Sequence, residues 1–171
     1  MKTNMNRKGI SNVVATIILI AVAIALAVAV AVWVFGLAGS SAKTATLQIQ
    51  AIGLTGVSSG SSATLTLLIS NPSSSGIGLN GFTLGSLSCV FSSPIQVPAG
   101  TQGGELTITL TITNGAFAGV SGVTGSGGIT VPSGITATCS GSQTAAVGIQ
   151  YSGYLTTVSG QTYPFTVTAS S

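Results

Sequence analysis

The chain has no histidine, one acidic side chain and four basic ones, so charged residues make up 3% of its 171 positions. Soluble domains average about 25%. The acid is Glu105, and the bases are Lys2, Arg7, Lys8 and Lys43. These absences remove whole classes of chemistry. Paired carboxylates, a Ser-His-Asp triad and a histidine or carboxylate metal cage each need residue types that are missing. We therefore expect no enzyme, with no catalytic residue, no metal site and no cofactor. Nucleic acid is an equally poor partner, because phosphate binding needs clustered Lys or Arg, and three of the four bases precede residue 9.

What the sequence does have is a long apolar run. Across residues 13–38 Thr16 is the only hydroxyl and Gly36 the only glycine. Wound as a helix, this run would be roughly 39 Å long, more than the roughly 30 Å hydrocarbon layer of a bilayer. Its middle alternates Ala with Val, Ile or Leu, a period of two that elsewhere would suggest a strand. A lone strand in lipid leaves its backbone unsatisfied, whereas a helix pairs every group internally, so the run reads as helix. Ala21, Ala25 and Ala29 then form a small-residue row of the kind that lets helices approach closely. A plain membrane anchor would show the same row. Lys2, Arg7 and Lys8 precede the span and only Lys43 follows it, which places the start in the cytoplasm and the body outside. A cleaved secretory signal is the alternative, but its apolar region is usually about 7–15 residues.

From residue 44 the pattern changes to short alternating segments divided by Gly, Ser, Pro and Asn, which are strand and turn signals. In residues 105–113, Leu106, Ile108, Leu110 and Ile112 alternate with Thr107, Thr109, Thr111 and Thr113, as in a half-buried antiparallel strand. Weaker strands are expected at 44–54, 63–70, 77–84, 87–91, 134–139, 144–151 and 161–169. Asn71-Pro72 and Asn80-Gly81 read as turns, and residues 115–134, rich in Gly and Ser, as a long loop. The expected fold class is α+β: a hydrophobic N-terminal helix followed by an immunoglobulin-like all-β sandwich. The only tryptophan, Trp33, lies in the helix and not between the cysteines. Cys89 and Cys139 both fall in expected strands outside the membrane, where oxidation favours a disulfide; two buried thiols are the alternative.

The stretch Arg7-Lys8-Gly9-Ile10-Ser11-Asn12-Val13-Val14-Ala15-Thr16-Ile17-Ile18 resembles the class III signal of archaeal type IV pilins. The resemblance covers residues 7–35 and is only architectural beyond them. It implies that a prepilin peptidase cuts between Gly9 and Ile10, with Arg7 and Lys8 as recognition residues. It also implies that an assembly ATPase and a membrane platform protein then move the subunit from the membrane into a homopolymer. Bacterial members usually carry Glu at the fifth mature position; Val14 stands there, as is common in the archaeal branch.

The resulting division is a leader at 1–9, a transmembrane and filament-core helix at 10–39, a linker at 40–43 and a head at 44–171. The core helix would use Ile10, Val14, Ile17, Ile18, Ala21, Ala25, Ala29, Val32, Trp33 and Phe35, with Gly36 and Gly39 as a hinge into the head. Pilus subunit is the first reading. A flagellin-like subunit and a membrane-anchored extracellular binding module that never polymerises are the alternatives. The Ser and Thr of the head either accept O-linked sugars or simply furnish polar strand faces, and the intact mass of the mature chain separates the two.

Acid unfolds proteins mainly by protonating carboxylates that the native state holds ionised. Beyond residue 43 the only side-chain carboxylate is Glu105. The thermal midpoint is therefore expected to move by less than about 5 °C between about pH 7 and pH 2. A calorimetric scan at each pH checks this, and a larger fall contradicts it.

Overall fold

The computed structural model of the chain describes the backbone of residues 5–42 and 46–171 and the side chains of residues 10–37 and 46–171. Two compact units divide it, residues 1–43 and 44–171.

The first unit is helix α1 (Met5–Ala42). It is longer at both ends than the 10–39 read from the sequence, starting within the basic leader and taking in residues 40–42. Gly36 and Gly39 do not break it. A glycine inside a helix costs about 1 kcal/mol relative to alanine, which the hydrogen bonds of the adjoining turns absorb.

The second unit is a β-sandwich of two antiparallel five-stranded sheets. The first contains β1 (Gln48–Thr55), β2 (Ser62–Ser70), β5 (Gly104–Thr113), β6 (Ala116–Ser126) and β8 (Gln143–Thr144), in the order β1-β2-β5-β6-β8. The second contains β3 (Ile77–Leu84), β4 (Leu87–Val97), β7 (Ala137–Ser140), β9 (Gln150–Thr157) and β10 (Thr162–Thr168), in the order β10-β9-β3-β4-β7. The series β10-β9-β3-β4 matches the G-F-C-C′ order of immunoglobulin domains, and β1-β2-β5 matches A-B-E. The position of strand D is taken by β6, which follows β5 in the chain instead of preceding it. A parallel bridge from Leu54 to Ala169 joins β1 to the end of the chain.

The β5 alternation does what its pattern requires. Leu106, Ile108 and Leu110 are fully buried and the intervening threonines lie on the outer face. Their partners across β2 are Leu67, Leu65 and Ala63, also buried. From the second sheet, Leu79, Phe82, Leu84, Leu87, Ile95 and Leu155 close the core. Phe117 meets Tyr151 edge-on across the sandwich at 5.6 Å, and Phe82 lies 5.9 Å from Phe91.

Three expectations are corrected. Residues 115–134 are not a loop, because β6 fills Ala116–Ser126. Its signal was Asn114-Gly115, both with positive φ, which form the two-residue hairpin turn from β5. Bulges at Ala118 and Ser121 then disturb the alternation that would mark a strand. Asn80-Gly81 is not a turn but an irregularity inside β3, where a Cβ on Gly81 would lie 2.3 Å from the Cys89 carbonyl oxygen. The strand expected at 144–151 divides into the two-residue β8 and the later β9. Asn71-Pro72 does lie between strands.

Buried polar groups are few and satisfied. Asn71 donates from its amide to the carbonyls of Ser75 (2.9 Å), Val97 (3.2 Å) and Pro98 (3.2 Å), fastening two loops together. Tyr151, at the start of β9, donates its hydroxyl to Thr144 O (2.6 Å) and accepts from Ala146 N (2.9 Å). A tyrosine in strand F that bonds to backbone a few residues upstream is the tyrosine corner of immunoglobulin-like domains. Cys89 and Cys139, directly opposite in β4 and β7, form a disulfide. It closes a span of 50 residues.

Tyr151→Phe is expected to cost about 1–2 kcal/mol by leaving two backbone groups without their partner. The double replacement Cys89→Ala/Cys139→Ala is expected to cost about 2–4 kcal/mol. Denaturant melts of the two variants measure both.

Candidate assembly surface

Ile10–Leu37 is, among the described residues, the one helix long and apolar enough to cross a membrane, with mean hydropathy 3.2 over its best window. Its length is roughly 42 Å. Its side chains are exposed throughout. Ile10, Val14, Ile17, Ile18 and Val32 are exposed, and Trp33 and Phe35 are 68% and 77% exposed. Ala21, Ala25 and Ala29 are exposed as well. Three- and four-residue spacing puts apolar groups on every side, so there is no wet face to set against a covered one, a pattern that belongs to membrane spans and to fully buried helices.

Thr16, the one hydroxyl of the run, donates to Asn12 O four residues earlier at 2.8 Å. That bond lets it leave water without an outside partner. Arg7, Lys8 and Gly9 belong to the first turns of α1, so the Gly9-Ile10 peptide lies in helical backbone; the side chains of Arg7 and Lys8, and the surroundings of Gly39, lie outside the described residues. Gly36 stands in open space, since a Cβ there would meet nothing within 4 Å.

The head faces its surroundings through hydroxyl groups. On the first sheet, register places Thr55, Thr64 and Thr109 in one row and Thr66, Thr107 and Thr124 in the next. Glu105 is on this face and accepts from the Thr107 hydroxyl at 3.3 Å. On the second sheet a row runs Pro164, Tyr154, Thr83, Ser88, Ser140. Of the three tyrosines, Tyr151 is buried and Tyr163 half-buried, while Tyr154 is 43% exposed.

Two depressions mark the head. One, of about 600 Å³, lies between β6 and residues 129–135. The other, of about 450 Å³, includes Gln48, Asn71 and Thr101. In the second, the Asn71 amide is already committed to internal bonds and presents nothing to a ligand. Neither depression is lined by an ionisable group.

No protein-family model matches the chain, and no characterised protein matches it in sequence.

Gly36→Ala is expected to stabilise the helix by about 1 kcal/mol without a clash. Amide exchange around residue 36, measured on the chain in detergent micelles, should slow by about fivefold.

Proposed function

We propose that the chain is the structural subunit of an archaeal type IV adhesive pilus, assembled by bundling its N-terminal helices into a filament core with the β-rich heads outside. The observation that carries this reading is the apolar helix Ile10–Leu37, uncovered along its whole described length, next to the sequence Arg7-Lys8-Gly9-Ile10. Before assembly the bilayer covers the helix. Extraction into water would cost about 1.5–3 kcal/mol for each large aliphatic side chain, on the order of tens of kcal/mol along the helix. A bundle of neighbouring helices offsets that cost, and close packing at Ala21, Ala25 and Ala29 supports it.

Leader removal prepares this transfer. Cutting between Gly9 and Ile10 discards Lys2, Arg7 and Lys8, charges that would be costly inside an apolar bundle. It also takes away the carbonyls that the first helical N–H groups of the mature chain had used, and Ser11 and Asn12 bring polar side chains to that new end. The head carries adhesion, with hydroxyl-rich faces that suit O-linked sugars, and sits outside the cell from the time of insertion. The peptidase, ATPase and platform protein act only during biogenesis.

Electron microscopy of sheared surface material, with N-terminal sequencing of the chain recovered from it, tests the proposal. Ordered filaments built from a chain that begins at Ile10 are expected. Recovery of the chain only from the membrane fraction, with no filaments, overturns it and favours the non-polymerising anchored module.

A further inference from the structure

The first sheet of the head has two open edges of opposite direction. At one side is β6. Its first residues, Ala116 and Phe117, pair with β8; beyond them, among the described residues, no strand lies on the side away from β5. Ala118 and Ser121 are bulged, which leaves residues 122–126 as a regular stretch paired to β5 on its other side. At the opposite side is β1, paired along its length with β2 and joined at Leu54 to Ala169 and Ser170; the stretch before that junction is regular over residues 48–51 and ends in a bulge at Ile52.

Soluble proteins protect free strand edges with Lys, Pro, bulges or short length. The second sheet follows this rule, with Pro164 in edge strand β10 and only four residues in β7. The first sheet relies on the bulges at Ala118 and Ser121 of β6 and at Ile52 of β1, which leave 122–126 and 48–51 outside their reach. Neither Gly-Val-Thr-Gly-Ser at 122–126 nor Gln-Ile-Gln-Ala at 48–51 contains a charge or a proline. Moreover, the depression of about 600 Å³ flanks β6 along these same residues, with Ile129, Val131, Pro132 and Ile135 on its far wall. An open edge beside a groove is the arrangement that accepts an added strand, the edge supplying main-chain hydrogen bonds and the groove taking alternate side chains; this groove is uncharged and of mixed polarity, with Thr124, Thr130 and Ser133 among its apolar residues.

The direction of the strands identifies the occupant. Each of β1, β2, β5 and β6 is antiparallel to the next, so β1 and β6 run in opposite senses. A second copy held in the same orientation and displaced sideways brings its β1 to β6 antiparallel. Parallel bundling of helices imposes that common orientation on all heads. The uncharged groove also suits a donor that is itself uncharged.

We infer that residues 122–126 of β6 accept residues 48–51 of β1 from a second copy of this chain as an added antiparallel strand, with the donor's Ile49 and Ala51, half-buried against its own core, on the side of the groove. This rests on the filament reading of the helix. The contact joins unlike surfaces, so each addition leaves one β6 edge and one β1 edge free, and growth is open-ended. The sheath then becomes a continuous sheet passing from head to head, bonded independently of the helical core.

Cross-linking of assembled material tests the inference. Gln50 and Thr124 are exposed on the outer face at the middle of the two stretches, whereas Cys89 and Cys139 are already bonded to each other. In sheared filaments, Gln50→Cys/Thr124→Cys is expected to give a ladder of multimers on non-reducing gels. The ladder should vanish on reduction and be absent from either single variant. Gln48→Cys/Thr124→Cys covers a two-residue shift of register. Filaments that form without a ladder from either pair overturn the inference and leave the helix reading standing; no filaments from the unsubstituted chain overturns both. Should the cysteine variants fail to fold, Thr124→Lys decides. Filaments should still assemble through their helices but melt about 5 °C lower, and an unchanged midpoint overturns the strand addition.

Discussion

Backbone hydrogen bonding governs this molecule more than any contact between side chains. A chain with almost no charge has few strong partners to offer an unsatisfied N–H or C=O, and leaving one buried costs about 1–3 kcal/mol. Each unit solves the problem in its own way. The helix pairs its interior groups within itself, so its internal ladder needs no partner from its surroundings. The head pairs them between strands and closes the exceptions with side chains, as Asn71 does for two loops and Tyr151 for the segment before β9.

Much of this was legible in the sequence because hydrophobic periodicity reports directly on burial. Leu106, Ile108, Leu110 and Ile112 announced a strand and its inward face, and the apolar run announced the helix. The disulfide was open to inference because Cys89 and Cys139 each sat in an alternating segment. Legibility failed where the backbone departs from a strict period. Two bulges in β6 shift side chains between faces, so Phe117, Val120 and Val123 show no alternation, and the glycines between them resemble loop composition. Asn80-Gly81 has the composition of a turn, but the space against Cys89 requires glycine inside a strand. The pairing of β8 with only Ala116 and Phe117 depends on contacts remote in sequence that no local pattern encodes.

The candidate surface divides along the same line. That the helix is apolar on all sides can be read from composition, and so can the hydroxylated character of the head. The arrangement of those hydroxyls cannot, since the rows Thr55-Thr64-Thr109 and Thr66-Thr107-Thr124 each exist only once three strands are in register. Gly36 and Gly39 both lie inside α1. Propensity is a weak preference, and a helix with well-paired turns on both sides carries two glycines through.

The disulfide also sets how far the head can stretch. In the proposed filament the head would carry load, and a head that yields to tension lengthens by roughly 3.4 Å per residue. Cys89 and Cys139 lock the 50-residue span between them out of that extension, withholding roughly 170 Å of slack. An oxidised head is therefore a short tether that unravels only in its outer segments, and the same head reduced would be a long one.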